Sequence, residues 1–251
     1  MKLGYSSLAI VGFAAALAVL ALNSSPLSGL ALNEATDAAF AQYIAKFGKS
    51  YATKEEYAYR KAIFEESLAM IEAHNAQNDK TWFMTLNKFS DMTPEEFKRG
   101  LGVKTNQAEN VEEAPILETG LLQQAAPVDW RSMMNPIRDQ GACGSCWAFA
   151  AVGALEGQYA IKNGGTKVAM SEQQMVDCDK QSYGCEGGWS DKALLYVQKT
   201  GGIMSRDSYP YKTVQGACRF DLSKVVAKVA GVYSIGDAKG ALSYGPVVVY
   251  L

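Results

Sequence analysis

Residues Gln140 to Trp147 read Gln-Gly-Ala-Cys-Gly-Ser-Cys-Trp, and the small residues in this stretch predict a tight turn. From Trp147 to Tyr159 the apolar residues recur at helical spacing, so Cys146 is predicted at the N-terminus of a helix. Unpaired backbone N–H groups and the helix dipole favour an anion at that position. We therefore expect Cys146 to lose its proton more readily than an average cysteine and to act as a nucleophile.

Cys143 and Cys146 form a C-x-x-C pair, which several classes of protein use. Such a pair can be a thioredoxin-type redox motif or half of a zinc site, and a cysteine before a helix can simply be packed in a core. The neighbouring residues favour another interpretation. Together with Gln140, the segment Cys143-Gly-Ser-Cys146-Trp147 resembles the active-site segment of papain-like cysteine proteases.

This resemblance implies an α+β fold with two lobes, of which the helical lobe is present and the β-barrel lobe is only begun. It implies that Cys146 is the nucleophile, with the Gln140 side chain and the Cys146 backbone N–H as donors to the oxyanion. The expected substrate-binding residues are Gly187 and Gly188, which pair with the substrate backbone, and Trp189 and Ser190, which border the pocket for the side chain two before the cut. No cofactor and no metal are expected.

The cysteine count and the charge limit the possible functions. All five cysteines lie in the second half of the chain, and an odd number in an exported protein leaves one thiol unpaired. The resemblance pairs Cys143 with Cys185 and Cys178 with Cys218, which leaves Cys146 free. The formal net charge of −2 provides no basic face, so no nucleic acid is expected as a partner.

The N-terminus predicts a secretory signal peptide over residues 1–24, with its cleavage site left open. Lys2 precedes the uncharged run from Leu8 to Leu22, and the next charged residue is Glu34. The alternative is a membrane anchor, but the apolar core of about 15 residues is shorter than the roughly 20 that a spanning helix needs. We therefore expect entry into the secretory pathway, with the lysosome, the vacuole or the exterior as destination and no stable membrane association after signal removal.

The following residues predict two helices. From Glu34 to Phe47 the apolar residues fall on one helical face, and Thr53 followed by Glu56 has the spacing of a capping box. The apolar stripe of the second helix consists of Tyr57, Phe64, Leu68 and Ile71. The pattern alone predicts a helical hairpin.

The second helix and the residues after it resemble the propeptides of cathepsin L-type proteases. The matching positions are Glu56, Arg60, Phe64, Ile71, Asn75, Asn87, Phe89 and Asp91, whereas Ser67 and Thr85 replace an asparagine and a glycine of the propeptide motifs. The resemblance implies a helical inhibitory prodomain over residues 32–99, whose trailing segment lies along the substrate cleft. Glu56, Arg60 and Asp91 are also expected to form ion pairs that hold this domain together. His74, the only histidine, is expected to be a surface or packing residue.

A linker is predicted over residues 100–125, because this part has no hydrophobic period and carries several glutamates. Thr93 and Pro94 are expected to open a short helix just before it. The segment Ala126-Pro-Val-Asp-Trp-Arg131 resembles the start of mature enzymes of the family. The resemblance thus places an activation cut near residues 122 to 127, and an incomplete peptidase domain over residues 126–251.

Further elements are predicted within this domain. Ser171 is expected to cap a short helix that ends near Cys178, and Ser190 is expected to cap a helix over Asp191–Thr200 that two glycines close. Valine-rich segments predict strands over residues 224–235 and 246–251.

Cysteine proteases also need a histidine, which in this family lies about 130 to 150 residues beyond the cysteine. No residue after Cys146 is a histidine, so we expect the sequence to be C-terminally truncated and inactive as written. The favoured function is the precursor of a cysteine endopeptidase that acts on proteins or peptides and has its own prodomain as inhibitor. The alternative is a non-catalytic protein whose prodomain inhibits other cysteine proteases; a redox or zinc-binding module is disfavoured.

Overall fold

The computed structural model describes residues 26–102, 114–117 and 127–249, of which residues 26–33 are described as backbone only. The signal peptide predicted over residues 1–24 lies outside the described residues, as does most of the predicted activation region. The chain forms two compact units, the first ending at Met92 and the second beginning at Thr93. Among the described residues, no helix combines the length and the apolar character needed to cross a membrane.

The first unit contains the predicted helical hairpin, formed by α1 (Pro26–Phe47) and α2 (Lys54–Asn75). Thr53 caps α2 by accepting a hydrogen bond from the Glu56 backbone N–H at 3.1 Å. The Glu56 carboxylate accepts from the N–H of Ala52 at 2.9 Å, one residue before the position that a strict capping box would use. Phe40, Tyr43 and Phe64 form the buried core of the hairpin. The first helix begins at Pro26, which is earlier than Glu34, where the predicted helical pattern starts.

Asp91 ties the residues after α2 to this hairpin. Its buried carboxylate accepts hydrogen bonds from Tyr43 Oη at 2.8 Å and Tyr51 Oη at 2.9 Å, and forms an ion pair with Lys49 Nζ at 2.7 Å. Burial opposes ionisation, but these three hydrogen bonds outweigh it and hold the pKa of Asp91 below its usual range. Arg60 donates to the backbone carbonyl of Asp91 at 3.0 Å. The predicted ion pairing is present between Glu56 and Arg60. It is corrected for Asp91, whose carboxylate pairs with Lys49, a residue that the motif does not include.

The other motif residues shape the turn between α2 and Asp91. The Asn75 side chain brackets Met84, since its amide donates to the Met84 carbonyl at 2.8 Å and its oxygen accepts from the Met84 N–H at 2.9 Å. The Asn87 side chain accepts from the N–H of Phe89 at 2.8 Å. Arg60 Nε lies 4.0 Å from Glu56 Oε1 in the ion pair of these two residues. His74 stacks on Trp82, with 3.9 Å between ring centroids, as a packing residue would.

The second unit opens with α3 (Pro94–Arg99), which Thr93 and Glu96 cap through a reciprocal capping box. Three helices form its core: α4 (Cys146–Lys162), α5 (Glu172–Cys178) and α6 (Ser190–Thr200). The fully buried side chains at their contact include Trp147, Val152, Met175, Val176 and Val197. A short helix, α7 (Ala238–Leu242), lies near the end of the described residues, and single 3₁₀ turns occur at Arg131–Met133, Gly184–Glu186 and Leu222–Lys224.

The strands of this unit are short and differ from the predicted ones. Within the predicted segment 224–235 only β3 (Val225–Ala227) and β4 (Ser234–Ile235) form. Their partners are β2 (Ile203–Met204), antiparallel to β3, and β1 (Ile116–Leu117), parallel to β4. Residues 246–249 form no strand, and residues 250–251 lie outside the described part. A strand needs a neighbour for its N–H and C=O groups, and valine content alone does not supply one.

Two local predictions also need correction. The residue at the N-cap of α6 is Trp189, and Ser190 is the first helical residue, with its hydroxyl donating to the Trp147 carbonyl at 2.8 Å. Ile116 and Leu117 fall in the predicted linker but form a strand, and the preceding Ala114 packs against Leu195. Gly201 closes α6 in the left-handed conformation, as expected.

Candidate active site

Cys146 is the first residue of α4 and the one free cysteine among the described residues. The other four cysteines form the disulfides Cys143–Cys185 and Cys178–Cys218, which is the pairing that the resemblance implied. Cys143 is thus bonded away from Cys146, and the C-x-x-C pair is not a redox disulfide in this structure. Cys146 is half-buried, and its thiol stands at the end of a helix where N–H groups and the dipole favour negative charge.

A segment that follows α3 lies directly on this thiol. The backbone N–H of Gly102 points at Cys146 Sγ, with 3.2 Å between nitrogen and sulfur, and the Gly102 carbonyl accepts from the N–H of Gly188 at 2.7 Å. Gly102 is buried, and a Cβ placed on it would lie only 1.7 Å from the carbonyl oxygen of Gly144. The approach is therefore possible only for a residue without a side chain.

Gln140 contacts the same segment. Its side-chain amide donates to the carbonyl of Gly100 at 3.1 Å and to the carbonyl of Cys143 at 2.9 Å. Cys146, the predicted nucleophile, and Gln140, the predicted oxyanion donor, thus both contact the segment that contains Gly100 and Gly102. The two side chains therefore lie at the same site.

The glycine pair and its neighbours form the wall beside Cys146. Gly187 has a φ of 116°, a conformation that favours glycine, and Gly188 offers its N–H toward the segment on the thiol. A Cβ on Gly188 would come within 2.6 Å of Ser182 and 2.8 Å of the Trp147 ring. Trp189 is buried, with its ring 5.8 Å from that of Tyr183. Ser190 is also buried.

Arg138, two residues before Gln140, belongs to a charged network that the sequence did not predict. Arg138 bonds both Glu156 and Glu172, each at 2.6 Å, and Glu172 also pairs with Arg206. Both glutamates are almost fully buried, at 3% and 1% exposure, so their charges depend on these arginines. The partners are 18 to 34 residues apart in sequence, and no local pattern indicates them.

The site contains a free thiol and hydrogen-bond donors but no histidine. The only histidine of the sequence is His74, which lies in the first unit and bonds the carbonyl of Trp82 at 3.1 Å. The sequence did not predict a role at this site for Gly100, Gly102 and Gly144. Their one signal is that they are glycines, and glycine in a predicted linker or turn is equally typical of an ordinary turn.

Comparisons with known proteins identify the family of the chain. The family model "Papain family cysteine protease" matches residues 124–250, and the model "Cathepsin propeptide inhibitor domain" matches residues 40–97. Digestive cysteine proteinase 1 of Homarus americanus is 38% identical over 226 residues, which cover 86% of this chain and 68% of that protein. Procathepsin L of Rattus norvegicus is 36% identical, over 93% of this chain and 72% of that protein.

Solved structures give the same result. Digestive procathepsin L 3 of the Tenebrio molitor larval midgut superposes with a TM-score of 0.71 at 36% identity, covering 82% of this chain and 68% of that one. Cysteine proteinase 1 of Zea mays, a relative by sequence, is 38% identical, and the chain spans 62% of its length. The chain therefore belongs to the papain family of cysteine proteases, as a precursor of the cathepsin L type with a propeptide inhibitor domain and a papain-like α+β fold.

Proposed function

We propose that this chain is the precursor of a cysteine endopeptidase in which Cys146 attacks the peptide bond. The observation that carries the proposal is the free thiol at the start of α4, held under a peptide segment whose nearby carbonyl bonds Gln140. The thiolate sulfur would bond to the carbonyl carbon, and the negative charge would move to the carbonyl oxygen. The Gln140 amide and the Cys146 N–H would stabilise that oxyanion.

Substrate binding would use the wall beside Cys146. The N–H of Gly188 already bonds a peptide carbonyl, that of Gly102, and a substrate backbone would make the same type of bond. Gly187 would allow the close approach, and Trp189 and Ser190 would border the pocket for the side chain two before the cut. The substrates would be proteins or peptides.

The segment on the thiol would inhibit because it occupies the site unproductively. It offers an N–H, that of Gly102, to the sulfur, and the carbonyl on Gln140 belongs to a different residue, Gly100. A substrate that is cut must present one peptide group to both. Residues 32–99 would be the inhibitory prodomain, residues 100–125 a linker cut near 122 to 127, and residues 126–251 would belong to the peptidase domain. A signal peptide would send the precursor into the secretory pathway, towards the lysosome, the vacuole or the exterior.

The reaction also needs a group that protonates the departing amine. The only histidine, His74, lies in the propeptide region, so residues 1–251 would not support turnover. The test is to append the C-terminal part of a related protease, with its histidine and asparagine, and to remove the prodomain. Peptide cleavage that appears in this extended protein and disappears in Cys146→Ser is the expected result. Cleavage that survives Cys146→Ser, or robust cleavage by the unextended chain, would show that the mechanism is wrong.

A second function is the inhibition of other cysteine proteases by the prodomain, favoured by the match to the propeptide inhibitor model over residues 40–97. Residues 34–99 contain the hairpin and the bonded Asp91, so this segment should fold and inhibit cathepsin L-like enzymes in trans. The measurement is the inhibition constant at neutral pH, with Asp91→Asn as the weakened control. A folded segment without inhibition would exclude this function.

A further inference from the structure

Tyr211 connects the two parts of the chain that carry the oxyanion donors. Its hydroxyl lies 2.7 Å from the backbone carbonyl oxygen of Gln140 and 2.6 Å from the hydroxyl of Ser145, the residue just before Cys146. Ser145 is fully buried, and Tyr211 is half-buried. One side chain thus spans the loop of Gln140 and the start of α4.

The directions of these two hydrogen bonds follow from the available protons. A carbonyl oxygen only accepts, so the single proton of the Tyr211 hydroxyl must go to Gln140. The proton between Tyr211 and Ser145 therefore comes from Ser145. The second possible acceptor of Ser145, the Cys143 carbonyl, lies 3.5 Å away and is the weaker one. Ser145 is thereby committed to Tyr211.

Ser145 occupies the N-cap of α4, and its backbone explains why its side chain does not cap the helix. A capping serine normally has an extended backbone, whereas Ser145 has a φ of −99° and a ψ of 15°. Its carbonyl accepts from the N–H groups of Ala148 at 2.9 Å and Phe149 at 3.1 Å. The Ser145 hydroxyl is consequently available for the bond to Tyr211.

The ring of Tyr211 is held from two sides. It packs edge-on against Phe149 in the first turns of α4, with 4.9 Å between ring centroids, and the Arg206 guanidinium lies 5.8 Å from its centroid. Burial, more than any nearby charge, raises the pKa of Tyr211 above its usual value, so the hydroxyl keeps its proton at any pH at which a protease works. The donor to Gln140 is therefore permanent.

We propose that Tyr211 is a positioning residue of the oxyanion site: its hydroxyl fixes Gln140 relative to the start of α4. The proposal rests on the proposed function of Cys146 and Gln140. Without the hydroxyl, Gln140 loses a bond to its backbone and its link to Ser145, so its side-chain amide is no longer held beside Cys146.

The test compares two alkylating agents of similar size on the full chain, anionic iodoacetate and neutral iodoacetamide. Cys146 is the free thiol of the described residues, so labelling reports on it. Both agents need the segment at Gly102 to open, so the opening step cancels in the ratio of their rate constants. The ratio measures how strongly the Gln140 amide and the end of α4 together attract an anion, and it needs no catalytic base.

Tyr211→Phe should lower the iodoacetate-to-iodoacetamide ratio about fivefold, the effect expected for one lost hydrogen bond that held a donor in place. In a Gln140→Ala background Tyr211→Phe should cause no further change, since the donor that it positions is already gone. Tyr159→Phe, half-buried elsewhere on α4, is the matched control and should not change the ratio. A tyrosine that merely stabilised the fold would lower the ratio equally with and without the Gln140 amide.

An unchanged ratio in a folded Tyr211→Phe chain, or an equal fall in the Gln140→Ala background, would overturn the proposal. Should Tyr211→Phe fail to fold, Ser145→Ala decides, because it breaks the same bridge at its other end. It should lower the ratio in the same direction, and an unchanged ratio would contradict the proposal. Failure of the proposed function would be seen separately, as missing turnover in the histidine-extended protein.

Discussion

Replacing Gly102 with alanine should release the segment that lies on Cys146. The added Cβ would lie 1.7 Å from Gly144 O, 2.4 Å from Gly144 C and 2.9 Å from Gly144 Cα. Gly144 has little room to retreat, because its N–H donates to Cys185 O at 2.8 Å and a disulfide joins Cys143 to Cys185 beside it. The segment itself must therefore move away.

The expected effect follows from the hydrogen bonds that the segment loses. Gly102 gives up its bond to Cys146 Sγ and the bond that it accepts from Gly188. Two such bonds contribute about 1 to 3 kcal/mol net, which makes the open form roughly 5- to 150-fold more populated. The rate of iodoacetamide labelling of Cys146 in the full chain should rise by that factor.

Gly100 provides the matched control for this experiment. It lies in the same segment, but a Cβ there would only touch Phe97 O at 3.4 Å, an ordinary contact. Gly100→Ala should leave the labelling rate within about twofold of the parent. An unchanged rate in Gly102→Ala, or an equal rise in both variants, would refute the argument that the close approach to Gly144 holds the segment in place.

Three further predictions concern stability, each measured by urea unfolding of the full chain. Asp91→Asn should destabilise the first unit by about 2 to 3 kcal/mol, because Lys49 loses its counter-ion. Since the pKa of Asp91 is lowered, its stabilisation is complete above about pH 4 and is lost as the pH falls, so variant and parent should converge in acid. Arg138→Met should lower the free energy of unfolding by about 3 to 5 kcal/mol, because buried Glu156 loses its arginine and buried Glu172 keeps only Arg206. Cys178→Ser should lower the free energy of unfolding by about 2 to 5 kcal/mol. It should also remove the part of the stability difference between reduced and oxidised protein that the Cys178–Cys218 disulfide causes.

Elements whose signals are local could be predicted from the sequence. Thr53, Thr93 and Ser171 each cap the helix that they were expected to open, because a capping side chain and its N–H partner lie three residues apart. The start of α4 at Cys146 follows from the turn and the helical period on either side of it. The hairpin core at Phe40 and Phe64 follows from periodicity alone.

Contacts between distant residues could not be predicted in this way. The partners of Asp91 lie 40 to 48 residues away, at Lys49, Tyr43 and Tyr51, and nothing in the local sequence indicates which charge or hydroxyl will reach it. The strand Ile203–Met204 forms because β3 supplies a partner, although its own sequence gave no signal. The same holds for Gly102, whose role depends on the position of Gly144 in the folded chain.

Gly102 and Tyr211 should act on Cys146 through separate steps, and a double variant can show this. Gly102 controls whether the thiol is open, whereas Tyr211 controls how the open site treats an anion. The bond from Gln140 to Gly100 connects the two only through the opening step, which cancels in the ratio. The observed labelling rate is the product of the opening equilibrium and the intrinsic rate of the open form. Gly102→Ala with Tyr211→Phe should therefore combine the faster labelling of the first variant with the lowered iodoacetate-to-iodoacetamide ratio of the second, additively in free energy. A ratio that returned to the parent value in this double variant would mean that Tyr211 acts by holding the segment closed, and not by positioning the donors around the thiol.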